Sequence, residues 1–164
     1  MANSPNKLRV MLDANVLFAG SLWPRFPYAV IQHGLAGDYI MVLTQLIIAE
    51  ARRTIGESFP DGLIRFDEYL RAIEYEKAKS PTLEQIKAQP DLVRDAKDIH
   101  VALAAINTKV DFLVTQDKDL TDPSAPIHQQ IKILLPGTFL REHMGWTSEA
   151  LEAIRQRNWA DIED

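Results

Sequence analysis

The sequence contains no cysteine among its 164 residues. This absence excludes disulfides, thiolate zinc sites, iron–sulfur clusters and cysteine nucleophiles. No apolar run approaches the roughly 20 residues that a transmembrane helix needs. Residues 1–6 are polar and too short for a signal sequence. Together these absences predict a cytoplasmic protein with no membrane association.

Glycine-based phosphate loops are also missing. The seven glycines form no Gly-x-Gly-x-x-Gly motif, Walker loop or nucleophile elbow. The four histidines, His33, His100, His128 and His143, lack metal-ligand spacing, and we expect each to be structural or exposed. The chemistry of this chain must therefore come from other residue types.

The composition is that of one globular domain, with 46% hydrophobic and 25% charged residues. Acidic residues outnumber basic ones by 23 to 18, which gives a net charge of -5. Such a balance argues against a generic nucleic-acid-binding protein, because phosphate contacts favour basic surfaces. The exception is a protein whose acids surround a metal ion, so the position of the acids decides the question.

Short apolar runs alternate with amphipathic segments along the chain, and this pattern predicts a parallel α/β sheet. We expect a turn at 13–15, a loop at 23–27 and an exposed connection at 80–90. The predicted strands are 8–12, 39–43, 111–115 and 131–135, the last ended by Pro136-Gly137, and the predicted helices are 28–35, 45–55, 61–79, 95–109 and 147–157.

Five acidic residues are predicted at one edge of that sheet, because the carboxyl ends of parallel strands meet there. They follow strands or occupy early turns of helices that begin at this edge: Asp13, Glu50, Asp98, Asp117 and Asp119. Each also has a structural interpretation, as a helix cap for Asp95 and Asp98 or a turn residue for Asp117 and Asp119. Glu50 lies in the apolar run 46–51, where a solvated carboxylate is not expected.

Clustered carboxylates repel one another unless a cation neutralises them. Oxygen ligands without cysteine or paired histidine favour Mg²⁺ or Mn²⁺ over zinc. Mg²⁺ is often completed by substrate phosphates, and it can activate a bound water. The pattern therefore points to phosphoryl chemistry.

Four stretches, 12–17 (LDANVL), 48–50 (IAE), 98–105 (DIHVALAA) and 113–120 (LVTQDKDL), resemble the motifs of the PIN-domain ribonucleases in order and spacing. This is the fold of many VapC-type toxins of toxin–antitoxin pairs. The resemblance covers roughly residues 8–140. It implies a three-layer α/β/α domain with a central, mainly parallel sheet, and Mg²⁺- or Mn²⁺-dependent hydrolysis of RNA phosphodiesters. An antitoxin and a second copy of the chain are the protein partners it suggests.

The resemblance also assigns roles to individual residues. It implies that the metal-binding, catalytic acids are Asp13, Glu50, Asp98 and Asp117, with Asp119 as an additional acid. Thr115 matches the hydroxyl that steadies the first aspartate, and Asn15 matches the polar residue beside it. Asp95 either supports Asp98 or faces solvent.

Candidate RNA contacts lie close to these acids. Trp23 and Arg25, in the loop after the first predicted strand, are candidates for stacking on bases, although Trp23 is also suited to covering the core edge. Arg52, Arg53 and Lys118 are candidate phosphate contacts or, alternatively, partners of nearby acids.

The C-terminal part departs from the family pattern. We predict a nuclease domain over residues 1–143 and a helical extension of that domain over residues 144–164. Leu151 and Ile154 give the extension an apolar side, which predicts packing on its own domain or, alternatively, dimerisation or partner binding.

Two rival functions follow from the same sequence. A phosphatase of the haloacid-dehalogenase type also has an aspartate after its first strand, but it requires a second aspartate where this chain has Asn15. Trapping of an aspartyl-phosphate on Asp13 would support it. A non-catalytic PIN-like binding module is the other rival, and it would bind no metal.

Overall fold

The computed structural model describes residues 7–162, and the predicted absence of a signal sequence at 1–6 lies outside them. Its strands are β1 (Arg9–Leu12), β2 (Ile40–Thr44), β3 (Glu76–Ala78), β4 (Phe112–Val114) and β5 (Ile133–Leu134). Its helices are α1 (Ala14–Leu22), α2 (Phe26–Leu35), α3 (Gln45–Ser58), α4 (Leu63–Ala72), α5 (Leu83–Lys87), α6 (Ile99–Thr108), α7 (Lys118–Thr121), α8 (Pro136–His143) and α9 (Ser148–Ile154).

The strands form one parallel sheet in the order β3-β2-β1-β4-β5. Helices α1 to α4 contact one another in one layer, and α5 contacts α6 across from them. Right-handed crossovers explain the two layers, because successive strands are added toward one edge of the sheet from β1 to β3 and toward the other edge from β4 to β5. The predicted three-layer α/β/α fold is confirmed.

The order in which strands are added to the sheet reverses between the neighbouring parallel strands β1 and β4. Their register pairs Val10 with Phe112 and Leu12 with Val114. Strand β1 continues into α1 on one face, whereas β4 is reached from the other face through α6. Such a reversal opens a crevice at the carboxyl ends of the two strands, where ligands bind in open α/β sheets.

Two predicted segments differ from the structure, and a third gains an element. The helix predicted over 61–79 ends at Ala72, where Ile73 turns to an extended conformation, and residues 76–78 form the edge strand β3. The turn predicted at 13–15 is instead the start of helix α1, which continues through residues 16–22, where no element was predicted. The residues of α1 are buried nearly all round and so show no amphipathic spacing. Pro136-Gly137 follows the end of strand β5, as predicted, and Pro136 also begins helix α8, which was not predicted.

Smaller differences concern element ends. Helix α3 passes Gly56 and ends at Ser58, and the exposed connection 80–90 contains the short helix α5. The predicted helix 95–109 consists of a 3₁₀ turn, Ala96–Asp98, followed by α6. No helix in residues 7–162 combines the length and the apolar character needed to cross a bilayer.

The C-terminal residues pack on the same domain. Leu151 and Ile154 are buried. The indole Nε1 of Trp146 donates a hydrogen bond to His33 Nε2 at 2.9 Å, and that of Trp159 donates to the Leu22 carbonyl at 2.8 Å. The apolar side of this segment thus packs on the rest of the chain, while the division into a domain over 1–143 and its extension over 144–164 stays a prediction.

Candidate active site

The crevice between β1 and β4 begins at two aspartates that cap helices. Asp13 directly follows β1 and is the N-cap of α1, and Asp117 is the N-cap of α7, three residues beyond β4. The backbone N–H of Asp13 donates to the Val114 carbonyl at 3.0 Å, which extends the pairing of the two strands to the site. Both side chains are therefore placed by the central strands of the sheet.

The Thr115 hydroxyl connects the two sides of the crevice. It donates to Asp13 Oδ2 at 2.8 Å and accepts from Asn15 Nδ2 at 3.1 Å and from the Asp117 backbone N–H at 3.0 Å. The other oxygen of Asp13 accepts from the Ala14 N–H at 2.7 Å. Thr115 is 0% exposed and Asp13 is 5% exposed, so this network fixes a carboxylate away from bulk water.

Burial raises the pKa of Asp13 above its ordinary value. The hydrogen bonds from Thr115 and Ala14 oppose that shift, the charge of Glu50 adds to it, and His100 opposes it. Glu50 and His100, the two charges that act on Asp13, come from helices α3 and α6.

Asp98 brings a third carboxylate to the crevice, at the N-cap of α6. Burial, followed by the adjacent Asp117 carboxyl within hydrogen-bonding reach and the charges of Asp13 and Asp95, raises the pKa of Asp98 to about 8. Its Oδ2 atom is buried and has no hydrogen-bond partner. Because the Asp98 and Asp117 carboxylates lie side by side, only a shared proton or a cation can satisfy this Asp98 oxygen.

Glu50 and His100 form a hydrogen-bonded pair between α3 and α6. His100 Nε2 donates to Glu50 Oε1 at 3.0 Å, and its Nδ1 is buried without a partner. The Glu50 side chain is 42% exposed, in contrast to the apolar surroundings that its sequence neighbours suggested. Sequence reasoning gave His100 no role; the available signal was its place in the motif that begins at Asp98.

Asp95 and Asp119 lie at the margin of the site. Asp95 caps the 3₁₀ turn before α6 by accepting from the Lys97 N–H at 3.2 Å, and Asp119 is paired with Arg94 at 3.4 Å. Together with Asp98 they line a cavity of about 430 Å³ between segments 90–98 and 119–127. The structure thus brings all the predicted acids to this region of the carboxyl edge.

Two of the candidate RNA contacts have structural partners. Trp23 packs against Phe18 and Phe59 with ring centroids 6.2 and 5.9 Å apart. The Arg25 guanidinium donates to the Arg157 carbonyl at 3.1 Å. Both side chains therefore help to fasten the loop between α1 and α2.

The other three candidate RNA contacts are exposed. Arg52 pairs with Asp67 at 2.6 Å and Arg53 with Glu57 at 3.1 Å, so both have the acidic partners that the alternative interpretation expected. Lys118 lies exposed in α7, between the two late aspartates.

The donor set fits a hard divalent cation. Asp13, Asp98 and Asp117 supply carboxylate oxygens, burial raises the pKa of two of them, and the unsatisfied Asp98 oxygen lacks a positive partner. Across residues 7–162 no three potential ligands already surround one point. Mg²⁺ does not need such a cage, because it binds through one or two carboxylates and keeps several waters.

Comparisons with known proteins agree with this geometry. A sequence model described as PIN domain matches residues 9–119. No curated protein matches the chain. Among solved structures, PAE2754 from Pyrobaculum aerophilum superposes with a TM-score of 0.61 at 16% identity, over 85% of this chain and 91% of that chain. VapBC2 from Rickettsia felis, bound to a DNA fragment from their promoter, gives 0.55 at 16% identity, over 78% and 98%.

Proposed function

Because this chain belongs to the PIN-domain family, we propose that it is a metal-dependent endoribonuclease that acts in the cytoplasm. Its substrate is RNA, its cofactor is Mg²⁺ or Mn²⁺, and its reaction is hydrolysis of a phosphodiester bond. The observation that carries the proposal is the buried, unsatisfied Asp98 oxygen beside Asp117 and Asp13 at the switch point of the sheet. That position is where an α/β sheet places its ligand.

The proposed metal-binding acids are Asp13, Asp98, Asp117 and Glu50, of which one or two would bind the ion directly and the others through its waters. When bound, the metal ion would supply positive charge for the phosphate and a water of lowered pKa as the nucleophile. Asp119 and Asp95, at the margin, would add negative charge that strengthens cation binding.

Other residues of the chain hold these acids in place. Thr115 and Asn15 orient the Asp13 carboxylate through the shared hydroxyl, and Thr115 also positions the Asp117 backbone. His100 holds Glu50. Preorganised oxygens favour catalysis, because they need no rearrangement when the phosphate arrives.

We further propose that the chain is the toxin of a toxin–antitoxin pair. The structural likeness to VapBC2 supports this role, as does the family match. An antitoxin protein would then bind this chain, and a homodimer is the other partner we propose. Trp23, Arg25, Arg52, Arg53 and Lys118 remain proposed RNA contacts.

A cleavage assay tests the proposal. Purified protein is incubated with a labelled mixed-sequence RNA in Mn²⁺, in Mg²⁺ and in EDTA. Asp98→Asn is compared with Asp61→Asn, which changes an exposed acid in the turn between α3 and α4. We expect metal-dependent cleavage by the natural protein and by the Asp61 variant, and none by the Asp98 variant.

Metal binding gives an independent measurement. Mn²⁺ should raise the melting temperature of the natural protein and of Asp61→Asn, because binding to the folded state stabilises it, but not that of Asp98→Asn. If the natural protein neither cleaves RNA nor binds Mn²⁺ by calorimetry, the nuclease proposal is wrong and the chain is a binding module.

A further inference from the structure

A second cavity opens at the carboxyl edge, beside the acids and mostly outside the segment that matches the family. It has a volume of about 340 Å³ and lies between Gln116, the first turn of α8, α2 and α9. We call it the C-terminal groove; its lining residues are Phe26, Gln116, 135–138, Arg141, Leu151 and Arg155. Residues beyond 119 supply most of this lining.

Gln116 joins the C-terminal groove to the carboxylate cluster. Its backbone N–H donates to Asn15 Oδ1 at 3.0 Å, and its Nε2 donates to the Asn15 carbonyl at 3.3 Å. Asn15 in turn donates to Thr115, which holds Asp13. A strand lying in the groove would therefore run directly toward the acids.

Two arginines give the groove its charge. Arg141 comes from α8 and Arg155 from the end of α9, and their side chains are 53% and 58% exposed. Each is paired with an acid on its own helix, Glu142 at 4.0 Å and Glu152 at 3.2 Å. Exposed pairs of this kind contribute little stability, so a phosphate can replace the carboxylate as partner.

The walls of the groove suit a sugar–phosphate backbone. Phe26 and the exposed Leu135 supply apolar surface, and the Arg155 guanidinium lies 5.9 Å from the Phe26 ring centroid. A Cβ at Gly137 would lie 3.2 Å from that ring, so glycine allows the close packing of α8 on Phe26. Apolar surface next to two arginines suits the C–H face of a ribose next to its phosphate.

We propose that the C-terminal groove binds the phosphate backbone of the RNA strand beside the bond to be cut, with Arg141 and Arg155 as the phosphate contacts. This inference rests on the proposed ribonuclease function. A chain with a net charge of -5 and an acidic crevice repels RNA at long range, so its substrate needs local cations next to the crevice. The C-terminal segment thereby acquires a role in substrate binding.

The test compares two double variants that remove equal charge. Arg141→Gln with Arg155→Gln removes the groove cations, and Arg71→Gln with Lys132→Gln removes two exposed cations elsewhere, one of them just before β5 at the opposite edge of the sheet. Arg141→Lys with Arg155→Lys keeps the charge. The affinity for a labelled single-stranded RNA is measured in EDTA over a series of salt concentrations, and cleavage is measured with Mn²⁺.

We expect the groove variant to bind RNA at least about fivefold more weakly at 0.1 M salt and to lower the slope of log affinity against log salt by about 1.4. Its kcat/KM should fall by a similar factor while kcat at saturating RNA is kept. The control and the lysine variant should stay close to the natural protein. Equal RNA affinity and equal salt slope for the groove variant and the control would refute the proposal that the groove binds RNA.

Failure of the two proposals can be told apart. If the natural protein cleaves RNA but the groove variant binds and cleaves as the control does, the ribonuclease proposal stands and only the groove is wrong. If the natural protein neither cleaves RNA in either metal nor binds Mn²⁺, the ribonuclease proposal fails and the groove proposal fails with it. Melting temperatures of all variants identify any loss of folding.

Discussion

Replacing Thr115 tests whether its hydroxyl organises the site. Thr115→Val keeps the shape of the side chain but removes the donor to Asp13 Oδ2 and the acceptor for Asn15 and for the Asp117 N–H. Loss of a buried bond to a carboxylate, together with partly buried N–H groups left unpaired, should cost about 2 to 4 kcal/mol of unfolding free energy. Thr115→Ser keeps the hydroxyl and loses one buried methyl, which should cost about 1 kcal/mol.

Urea unfolding in EDTA, followed by circular dichroism, measures the difference between these two variants. The valine variant should be less stable than the serine variant by about 1 to 3 kcal/mol. In the Asp13→Asn background, the loss of unfolding free energy on going from serine to valine at position 115 should be smaller, because the hydroxyl no longer supports a carboxylate. The reasoning fails if valine and serine agree within about 0.5 kcal/mol, the ordinary effect of a neutral substitution.

In metal-free protein, Asp98→Asn should raise the melting temperature, with a larger gain near pH 9 than near pH 5. In the folded chain Asp98 has a pKa of about 8, above the pKa of an aspartate in the unfolded chain. The stability of the natural protein therefore falls as the pH rises from that lower pKa toward 8. A gain that is the same at both pH values would contradict this. Gly20→Ala should cost about 1 to 3 kcal/mol, because a Cβ would collide with buried Ile31. Gly56→Ala, whose Cβ meets no atom closer than 3.8 Å, should instead stabilise by about 0.5 to 1 kcal/mol in chemical denaturation. Tyr69→Phe should cost about 1 to 2 kcal/mol by the same measurement, because the Gly20 carbonyl loses its 2.8 Å hydrogen bond; an unchanged midpoint would show that water replaces it.

The central strands were predictable because their sequences are almost entirely apolar and end at polar residues. Asp13 and Thr115 follow directly after such strands, so parallel topology alone brought them to one edge. The acids of the candidate site could therefore be placed together before any distance was known. Their roles in catalysis stay predictions.

Strand β3 could not be predicted from periodicity. It has three residues, Glu76 to Ala78, and lies at the edge of the sheet, where a charged side chain is favoured over an apolar one. Its Glu76 is fixed by Arg9 on β1, and this partner holds the pKa of Glu76 below its ordinary value. A pairing across 67 residues leaves no local signal in the sequence.

Helix α1 was missed for the opposite reason. It is buried on nearly every side between its neighbours, so apolar residues occupy all of its faces and no period can be read. Likewise, the pairing of Glu50 with His100 depends on how α3 and α6 approach each other, which no spacing within either helix reveals.

The pairing of β1 with β4, two strands far apart in the sequence, has a consequence for synthesis of the chain. Residue 13 leaves the ribosome about 100 residues before Thr115, and its partner strand β4 is absent throughout that interval. Until β4 has emerged and paired with β1, Asp13 has neither the Thr115 hydroxyl nor the neighbouring Asp117, whereas β2 can already pair on the other side. A nascent chain therefore cannot assemble this carboxylate site until most of the domain has been translated.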